Sequence, residues 1–262
     1  TLSNLKKQNI NNVIMEASSH GLSQNRLDGL SFNTGIFTNL SQDHMDYHKN
    51  IKNYLKAKLY LFEKLIKKNG NIITDEKISE YNQIKKIASK KNLNLFSLLD
   101  KKNKFQFLSH QFEDESQLLR IKYNNSTYKI KLNLIGKVQL KNIQMATIAA
   151  IKSNISIKDI LKVIPRIKSV NGRFEKIGKI KNNSKVILDY AHTPDALKTC
   201  LQNLKDQYKN KNIFIVFGCG GERDKQKRKL MAKISKQFCS NLYITDDNPR
   251  NESPKEIRKE II

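Results

Sequence analysis

The sequence has few cysteines, no tryptophan and no long apolar run in its 262 residues. Cys200, Cys219 and Cys239 form no CxxC pair, so neither a disulfide framework nor a zinc site is indicated. The longest clear apolar run, Ile213 to Phe217, is far shorter than the roughly 18 residues of a membrane span. The first residues lack the apolar core of a signal peptide. We therefore expect a cytoplasmic protein with no membrane segment.

Acidic residues are scarce as well, with 24 Asp and Glu against 49 Lys and Arg, which gives a formal net charge of +25. Such a charge suggests a nucleic-acid-binding module. Only eight of the basic residues are arginines, and the lysines are scattered along every segment instead of forming one stripe. No motif combines aromatic and basic residues as a base-stacking surface would. Because Lys, Asn and Ile share A/T-rich codons, biased composition is the simpler explanation, and nucleic-acid binding is kept as the alternative from a different class.

Short apolar runs alternate with helical patterns, which is typical of α/β proteins. Val13–Met15 and Gly35–Thr38 are strand candidates, and the polar run Ser18–Gly21 between them, which ends in a glycine, predicts a loop. Apolar residues spaced by three and four predict an amphipathic helix over Asn50–Lys68. Alternation with a period of two predicts antiparallel strands over Phe105–Leu134, with a tight turn at Asn124-Asn125.

Beyond Pro165, strand, loop and helix follow one another repeatedly, which predicts a parallel sheet. The strands are predicted at Lys185–Leu188, Ile213–Phe217 and Leu242–Thr245. In parallel sheets, ligands bind beyond the carboxyl ends of the strands. Polar clusters follow the predicted strands at residues 16–26, 39–48, 189–195, 218–224 and 246–250. So many polar groups at one sheet edge suggest a large polar substrate, although loops are polar in any case.

Two features of the first half could carry metal chemistry. The Asp43–His48 run is dense in carboxylate and imidazole groups, which suit a divalent ion, but one of its aspartates could equally cap a helix. Lys58 lies three residues after Leu55 and four before Phe62, so it leans toward the apolar stripe of its helix. A snorkelling stem explains this on periodicity alone, and a functional lysine near a metal or phosphate is the sharper alternative.

Further polar groups follow the C-terminal strands. Gly218–Asp224 follows a hydrophobic strand and precedes a helix, so its glycines could turn backbone N–H groups toward an anion, although it matches no phosphate-loop motif. Arg223 and Arg250 could each clamp a carboxylate. Asp189 could bind a ribose or a metal-bound water, or cap the helix that begins near Pro194.

Seven ordered runs in these clusters resemble the Mur ligases, and within that family the MurE type, which adds the third residue of the peptidoglycan stem peptide. The runs are Met15–Leu22, Phe37–His48, Lys56–Lys58, Gly172–Glu175, Asp189–Ala196, Phe217–Asp224 and Asp246–Arg250. The resemblance implies an α/β fold, with a central mononucleotide-binding domain of mostly parallel sheet over residues 1–166 and a Rossmann-like C-terminal domain over 167–262. The family's phosphate loop and UDP-binding domain have no counterpart in the chain, so we expect a fragment that is truncated at both ends and inactive by itself.

The resemblance also implies the reaction. A ligase of this type uses ATP, with Mg²⁺, to join meso-2,6-diaminopimelate to UDP-N-acetylmuramoyl-L-alanyl-D-glutamate through an acyl phosphate in peptidoglycan precursor synthesis. These compounds would be its partners, and we expect a monomer that binds neither nucleic acid nor a membrane. Lysine-adding ligases of the MurE type and folylpolyglutamate ligases are the alternatives within the superfamily, and Arg250 and the Ser18–Arg26 run argue against both.

The same resemblance implies the site residues, one by one. The catalytic and Mg²⁺-binding residues would be Glu16, His44 and a carbamylated Lys58. The residues that bind the UDP-muramoyl dipeptide would be Ser18, Gln24 and Arg26. The nucleotide-binding residues would be Asn142, Arg173, Asp189 and His192. The diaminopimelate-binding residues would be Arg223, Asp247, Asn248, Pro249 and Arg250.

Overall fold

The computed structural model describes residues 2–100 and 104–262, and the chain divides into two compact units. The first unit comprises residues 1–35, 44–72 and 79–95, and the second comprises 36–43, 73–78 and 96–262. Because the chain passes from one unit to the other several times, neither unit is one continuous segment.

The chain up to residue 97 alternates helices with three strands. The helices are α1 (Leu2–Lys7), α2 (Ser19–Ser23), α3 (Met45–His48), α4 (Ile51–Tyr60) and α5 (Tyr81–Lys91). The strands are β1 (Phe32–Phe37), β2 (Ile66–Thr74) and β3 (Asn94–Ser97), hydrogen-bonded in the order β1-β2-β3. The strand predicted near Gly35 is confirmed, and it starts earlier than predicted.

Helix α4 begins where the sequence offers a capping residue. The Asn50 side chain accepts a hydrogen bond from the Asn53 backbone N–H at 2.9 Å. A π-helical turn, Leu61–Leu65, continues the helix before β2 begins at Ile66. The helix predicted to reach Lys68 is therefore too long, because the chain has already entered the sheet.

Two expectations near the N-terminus are wrong. Val13–Met15 is exposed and forms no strand, since no neighbouring strand among the described residues pairs with it and a short run is not stable alone. The polar segment after it, which the pattern places in a loop, instead starts α2. The Ser18 hydroxyl caps this helix by accepting a hydrogen bond from the Gly21 N–H at 3.1 Å.

In the second unit, an antiparallel sheet packs on helices. Strands β4 (Phe105–Phe112), β5 (Gln117–Tyr123) and β6 (Ser126–Leu132) pair in that order, and Asn124, with a φ of 52°, confirms the predicted hairpin turn. The helices that follow are α6 (Lys137–Lys152) and α7 (Ile157–Val163). A buried apolar core joins sheet and helices, and includes Phe105, Leu119, Ile121, Leu132, Ile143, Met145 and Ile148.

The C-terminal part continues with α/β units. Its strands are β7 (Glu175–Lys179), β8 (Lys185–Leu188), β9 (Phe214–Phe217) and β10 (Asn241–Ile244). Its helices are α8 (Pro194–Gln207), α9 (Gln226–Phe238) and α10 (Pro254–Ile261). Strands β9 and β10 run parallel, as predicted, but β8 pairs antiparallel with β7. Strand β7 escapes sequence reasoning because most of it is exposed, so no apolar alternation marks it.

The α/β class is confirmed by this architecture. Throughout residues 2–100 and 104–262, no helix combines the length and the apolar character that crossing a bilayer demands.

Candidate functional site

Five rings form a group in the first unit that we call the imidazole cluster. Its members are His20, His44, Tyr47, His48 and Tyr54. The ring centroid of His20 lies 4.8 Å from that of His44 and 5.5 Å from that of His48, while His48 stacks on Tyr54 at 5.1 Å. These residues come from α2, from the turn into α3, from α3 and from α4, so the fold unites motif runs that are separate in sequence.

The turn into α3 holds an unusual backbone conformation. His44 has a φ of 57°, in the left-handed region, and occupies the N-cap position of α3 without a capping hydrogen bond from its own side chain. The N-cap positions of α3 and α4 belong to His44 and Asn50, so neither Asp43 nor Asp46 occupies the N-cap position that the alternative gave to one of them. His48 is buried, and its Nε2 lies 2.9 Å from the Ser19 hydroxyl. Burial, with the nearby imidazoles, lowers the pKa of His48, so its ring is mostly neutral at pH 7.

Lys58 extends from α4 toward the same rings. Its Nζ lies 5.4 Å from the ring centroid of Tyr54, and the His44 ring lies 5.9 Å from that centroid. Burial lowers the pKa of Lys58, although the charge of Glu80 opposes this. A snorkelling lysine keeps its ammonium in water, so burial of Lys58 is unlike a snorkelling stem, and its functional role stays a prediction.

The candidate ligands in the first unit suit Mg²⁺ only if Lys58 is carbamylated. Glu16 is exposed and offers a carboxylate, and His44 offers an imidazole, whereas Lys58 offers oxygen ligands only after carbamylation. Among the residues that the structure describes, no three His, Cys, Asp or Glu side chains come close enough together to hold a metal ion. A Mg²⁺ ion here would depend on the modified lysine, and this ligand set stays a prediction.

The residues predicted to bind the dipeptide lie at and after α2. Ser18 caps that helix, and Gln24 Nε2 donates a hydrogen bond to the Tyr47 hydroxyl at 3.1 Å. Hydrogen bonds from Ser23 and Gln24, with the charge of Arg26, lower the pKa of Tyr47. Sequence reasoning did not single out Tyr47, whose one signal is its place within a polar run. The structure adds it to this group.

In the second unit, Asp189 joins two of the motif runs. Its carboxylate accepts hydrogen bonds from the N–H groups of Phe174 at 2.9 Å and Ala191 at 3.0 Å. Phe174 has a φ of 49°, so this bond holds a residue in the left-handed region. The capping residue of α8 is Thr193, so the capping alternative for Asp189 is wrong.

Two other residues predicted to bind nucleotide lie beside Tyr190, which sequence reasoning missed. The Arg173 guanidinium carbon is 5.2 Å from the Tyr190 ring centroid, and the His192 ring centroid is 5.0 Å from it. The His192 Nε2 also lies 3.8 Å from a carboxylate oxygen of Asp43. Asn142 is exposed on α6, and no hydrogen bond among the described residues joins it to this group.

The loops after β9 and β10 are hydrogen-bonded to each other. We call them the loop pair, residues 218–224 and 245–252. The Gly221 N–H donates to the Asn248 carbonyl at 3.1 Å, and the Glu222 N–H donates to the Glu252 carboxylate at 2.5 Å. The Gly221 and Glu222 N–H groups are therefore both occupied by the protein itself and are not left for an external anion.

The glycines instead let two backbones meet. A Cβ atom at Gly218 would overlap the Thr245 carbonyl oxygen, and a Cβ atom at Gly221 would overlap the Pro249 carbonyl oxygen. Backbone atoms cannot yield as a side-chain tip can. Glycine is therefore required at both positions for the loops to lie this close.

Gly220 lies beside both candidate arginines. A Cβ atom there would be 3.1 Å from Nη1 of Arg250 and 3.9 Å from Cγ of Arg223. Arg250 donates a hydrogen bond to the Gly221 carbonyl, and both arginines are exposed. Two guanidinium-bearing side chains at one surface suit a ligand that carries carboxylates.

Comparison with known families covers most of the chain. Residues 1–150 match the model of the Mur ligase middle domain, and residues 172–262 match the model of the Mur ligase, glutamate ligase domain. A relative from Rickettsia montanensis, named UDP-N-acetylmuramoyl-L-alanyl-D-glutamate--2,6-diaminopimelate ligase, is 38% identical over 260 residues. The match covers 99% of this chain and 53% of that protein, so the chain spans about half the length of the relative.

Solved structures resemble the chain in fold. A structure of UDP-N-acetylmuramoyl-L-alanyl-D-glutamate--2,6-diaminopimelate ligase is 29% identical with a TM-score of 0.63, covering 94% of this chain and 50% of that one. A folylpolyglutamate synthase from Mycobacterium tuberculosis has a higher TM-score, 0.71, at 16% identity, covering 87% of this chain and 51% of that one. The second likeness concerns the fold alone.

Proposed function

The chain belongs to the Mur ligase family, and from that premise we propose that it contains the ATP-binding middle part (1–166) and C-terminal part (167–262) of a diaminopimelate-adding ligase. The acceptor in this proposal is UDP-N-acetylmuramoyl-L-alanyl-D-glutamate. The observation that carries the proposal is the presence of Arg223 and Arg250 beside Gly220 in the loop pair. The relative that bears the name of this ligase, at 38% identity, supports it.

The proposed reaction has two chemical steps. The acceptor carboxylate attacks the γ-phosphorus of ATP, which forms an acyl phosphate and releases ADP. The amine of diaminopimelate then attacks the acyl carbon, and the tetrahedral intermediate expels phosphate. In this proposal Arg173, Asp189 and His192 bind the nucleotide together with Asn142. The Arg173 guanidinium supplies positive charge that is already in place when negative charge develops on the phosphates.

Lys58 has the most demanding role in the proposal. Mg²⁺ held by Glu16 and His44, with a second Mg²⁺ held by carbamylated Lys58, would offset the negative charge of the phosphates. Because burial lowers the pKa of Lys58, its amine loses a proton more readily and can add CO₂. The product is an anion in place of a cation, which explains why a lysine can point toward buried rings and still serve a divalent ion.

The dipeptide end of the acceptor is assigned to the group around Tyr47. Ser18, Gln24 and Arg26 bind it in this proposal, with Arg26 supplying positive charge for the carboxylates of the acceptor. Tyr47 accepts the hydrogen bond from Gln24 and so fixes the direction of that side chain. Its contribution is to orient Gln24 before the acceptor arrives.

Selection of diaminopimelate against lysine is assigned to Arg223 and Arg250. Diaminopimelate differs from lysine by a second carboxylate, with which one guanidinium can pair through two hydrogen bonds. Lysine would leave that guanidinium without its partner while adding no compensating contact, and this penalises the wrong substrate. Asp247 and Asn248 are both exposed in the loop pair. In this proposal they accept hydrogen bonds from an ammonium group of diaminopimelate.

The proposal is tested by offering both amino acids to the protein. The chain and the full-length product of its gene are each incubated with ATP, Mg²⁺, the acceptor and either diaminopimelate or lysine, and the ligated product is quantified by mass spectrometry. We expect the full-length product to ligate diaminopimelate with clear preference. Preference for lysine, or glutamate addition to a folate, would replace this proposal by the corresponding alternative.

The remaining partners are part of the same proposal. We expect a monomer whose basic surface attracts small anionic substrates and which binds neither nucleic acid nor a membrane. Analytical ultracentrifugation tests the monomer. A filter-binding titration at two salt concentrations tests the nucleic-acid alternative, which requires a strongly salt-dependent affinity.

A further inference from the structure

Arg228 is the most voluminous of the fully buried side chains among the described residues. Its guanidinium donates hydrogen bonds to both carboxylate oxygens of Glu252, at 3.0 and 3.1 Å, and to Glu260 at 2.7 Å. It also donates to the Gly220 carbonyl at 3.3 Å. Bidentate pairs of this kind fix the geometry of both partners.

These bonds join four segments of the C-terminal part. Arg228 comes from α9, Gly220 from the first loop of the loop pair, Glu252 from the second, and Glu260 from α10. Glu252 in turn accepts the Glu222 N–H at 2.5 Å, so the second loop holds the first by its backbone. The positions of the two loops are therefore set by one buried guanidinium and the carboxylate that it binds.

The loops need such support because their backbone is strained. Glu222 has a φ of 53°, Asn248 of 36° and Arg250 of 52°. Asparagine tolerates the left-handed region, but glutamate and arginine adopt it only where the surroundings hold them. One of the strained residues is the candidate arginine itself, so the direction of its side chain depends on this backbone being held.

A buried ion pair contributes little net stability to a folded protein. Apolar residues of similar volume often serve as well or better, because two charges must lose their water. The Arg228 Nε is buried without a hydrogen-bond partner among the described residues, which adds to that penalty. A function in fixing geometry explains why charges are placed here.

We propose that Arg228 and Glu252 are positioning residues, which hold the loop pair so that Arg223 and Arg250 face the amino-acid substrate together. Neither residue touches the substrate in this proposal. The identity of that substrate as diaminopimelate rests on the proposed function, whereas the mechanical link between Arg228, Glu252 and the loops does not.

The test uses two variants. Arg228→Lys keeps the positive charge but loses the guanidinium that binds both Glu252 oxygens, and Glu252→Gln keeps the shape of the side chain but loses its negative charge. Lys259→Met is the control, because Lys259 forms an exposed ion pair with Glu256 on α10. Hydrogen exchange of the Gly221 and Glu222 amides is measured in the chain. KM for diaminopimelate and KM for ATP are measured in the full-length product of the gene, and melting temperatures are recorded for all variants.

Both variants should speed exchange at the two amides and raise KM for diaminopimelate by about 10- to 100-fold, the range found for outer-shell partners of metal sites. KM for ATP should stay unchanged, and the control should match the wild type in every measurement. If Arg228→Lys fails to fold, the exchange rates and KM values of Glu252→Gln test the proposal. Unchanged exchange, or a KM for ATP that rises as much as that for diaminopimelate, overturns the proposal. Wild-type protein that does not ligate diaminopimelate refutes the proposed function instead, and the exchange rates still decide whether Arg228 and Glu252 hold the loops.

Discussion

The imidazole cluster and the loop pair are both assembled from motif runs, yet different interactions hold them. In the imidazole cluster, side-chain rings pack against one another around Tyr54, and His48 is held by one hydrogen bond to Ser19. In the loop pair, backbone meets backbone across glycines, and the buried guanidinium of Arg228 binds Glu252. The first region depends on the size and shape of rings, and the second on the absence of side chains at its glycines together with one buried ion pair.

Charge separates the two regions further. Burial lowers the pKa of Lys58, so the first region disfavours a positive charge. Hydrogen bonds from Arg228 and from the Glu222 N–H, in that order of effect, lower the pKa of Glu252 to about 2, so the second region keeps its charges across the physiological range. The proposed roles follow this difference, a reacting lysine in the first region and the recognition of a charged substrate in the second.

Removing the Lys58 amine should produce the largest effect. It tests whether the imidazole cluster carries the chemical step. We expect Lys58→Ala to lower turnover of the full-length enzyme by about a thousandfold, because metal-assisted charge stabilisation contributes several kcal/mol. Added short carboxylates should restore part of the activity by replacing the carbamate. The control is Lys52→Ala, an exposed lysine on the same helix and outside the motif runs. Steady-state turnover that is equal in both variants would refute the carbamate role.

Removing a recognition charge should have a smaller and more selective effect. We expect Arg250→Ala to weaken diaminopimelate binding by about 10- to 100-fold, since a charged hydrogen bond contributes about 1.5–3 kcal/mol. The affinity for ATP should be nearly unchanged. Arg120→Ala, at an exposed arginine on β5, serves as the control. An equal fall in affinity for ATP would show that Arg250 is assigned to the wrong ligand.

Adding a single methyl group tests the backbone contact. Gly221→Ala should destabilise the protein by about 1–3 kcal/mol, because its Cβ would overlap the Pro249 carbonyl and the backbone must move. Gly220→Ala is the matched comparison, because its Cβ meets the flexible tip of Arg250 at 3.1 Å. Urea denaturation should show a clear loss for the first variant and a smaller one for the second. Equal losses would mean that the loops do not depend on this backbone contact.

Acid should produce the mildest effect, confined to low pH. The folded-state pKa of Glu252 is depressed from 4.5 to about 2, so its contribution to stability is full above pH 4.5 and is lost as pH falls toward 2. The stability difference between wild type and Glu252→Gln should therefore be constant near neutral pH and shrink on acidification. Denaturant titrations at several pH values measure it. A difference that does not shrink between pH 4.5 and pH 2 would contradict the depressed pKa.

Sequence reasoning succeeded best where local signals were strong. The hairpin at Asn124 was predictable because alternation and a turn residue coincide there, and the helix that begins near Pro194 had a proline at its first turn. It failed at Val13–Met15, because a strand needs a partner that no local pattern reveals. It also missed β7, which is too exposed to show the alternation that marks a half-buried strand.

The same limit applied to the candidate site. Motif resemblance assigned Arg223 and Arg250, but only the fold shows that both lie beside Gly220. Arg228 and Glu252 could not be chosen from sequence, since nothing in a lysine-rich chain distinguishes one buried arginine from an exposed basic residue. Tyr47 was hidden because its hydrogen bond to Gln24 joins two distant runs, and the contact of Tyr190 with Arg173 likewise joins residues that are far apart in the sequence.

The sequence by itself determined the α/β class, the short helices and strands with strong periodicity, and the family, because these depend on local patterns and on motif runs. Tertiary structure alone decided that glycines bring two loops into backbone contact and that Lys58 lies beside buried rings. The physical reason is that burial, pKa and steric exclusion depend on atoms that folding brings close together. Local sequence patterns do not show which distant residues will become neighbours.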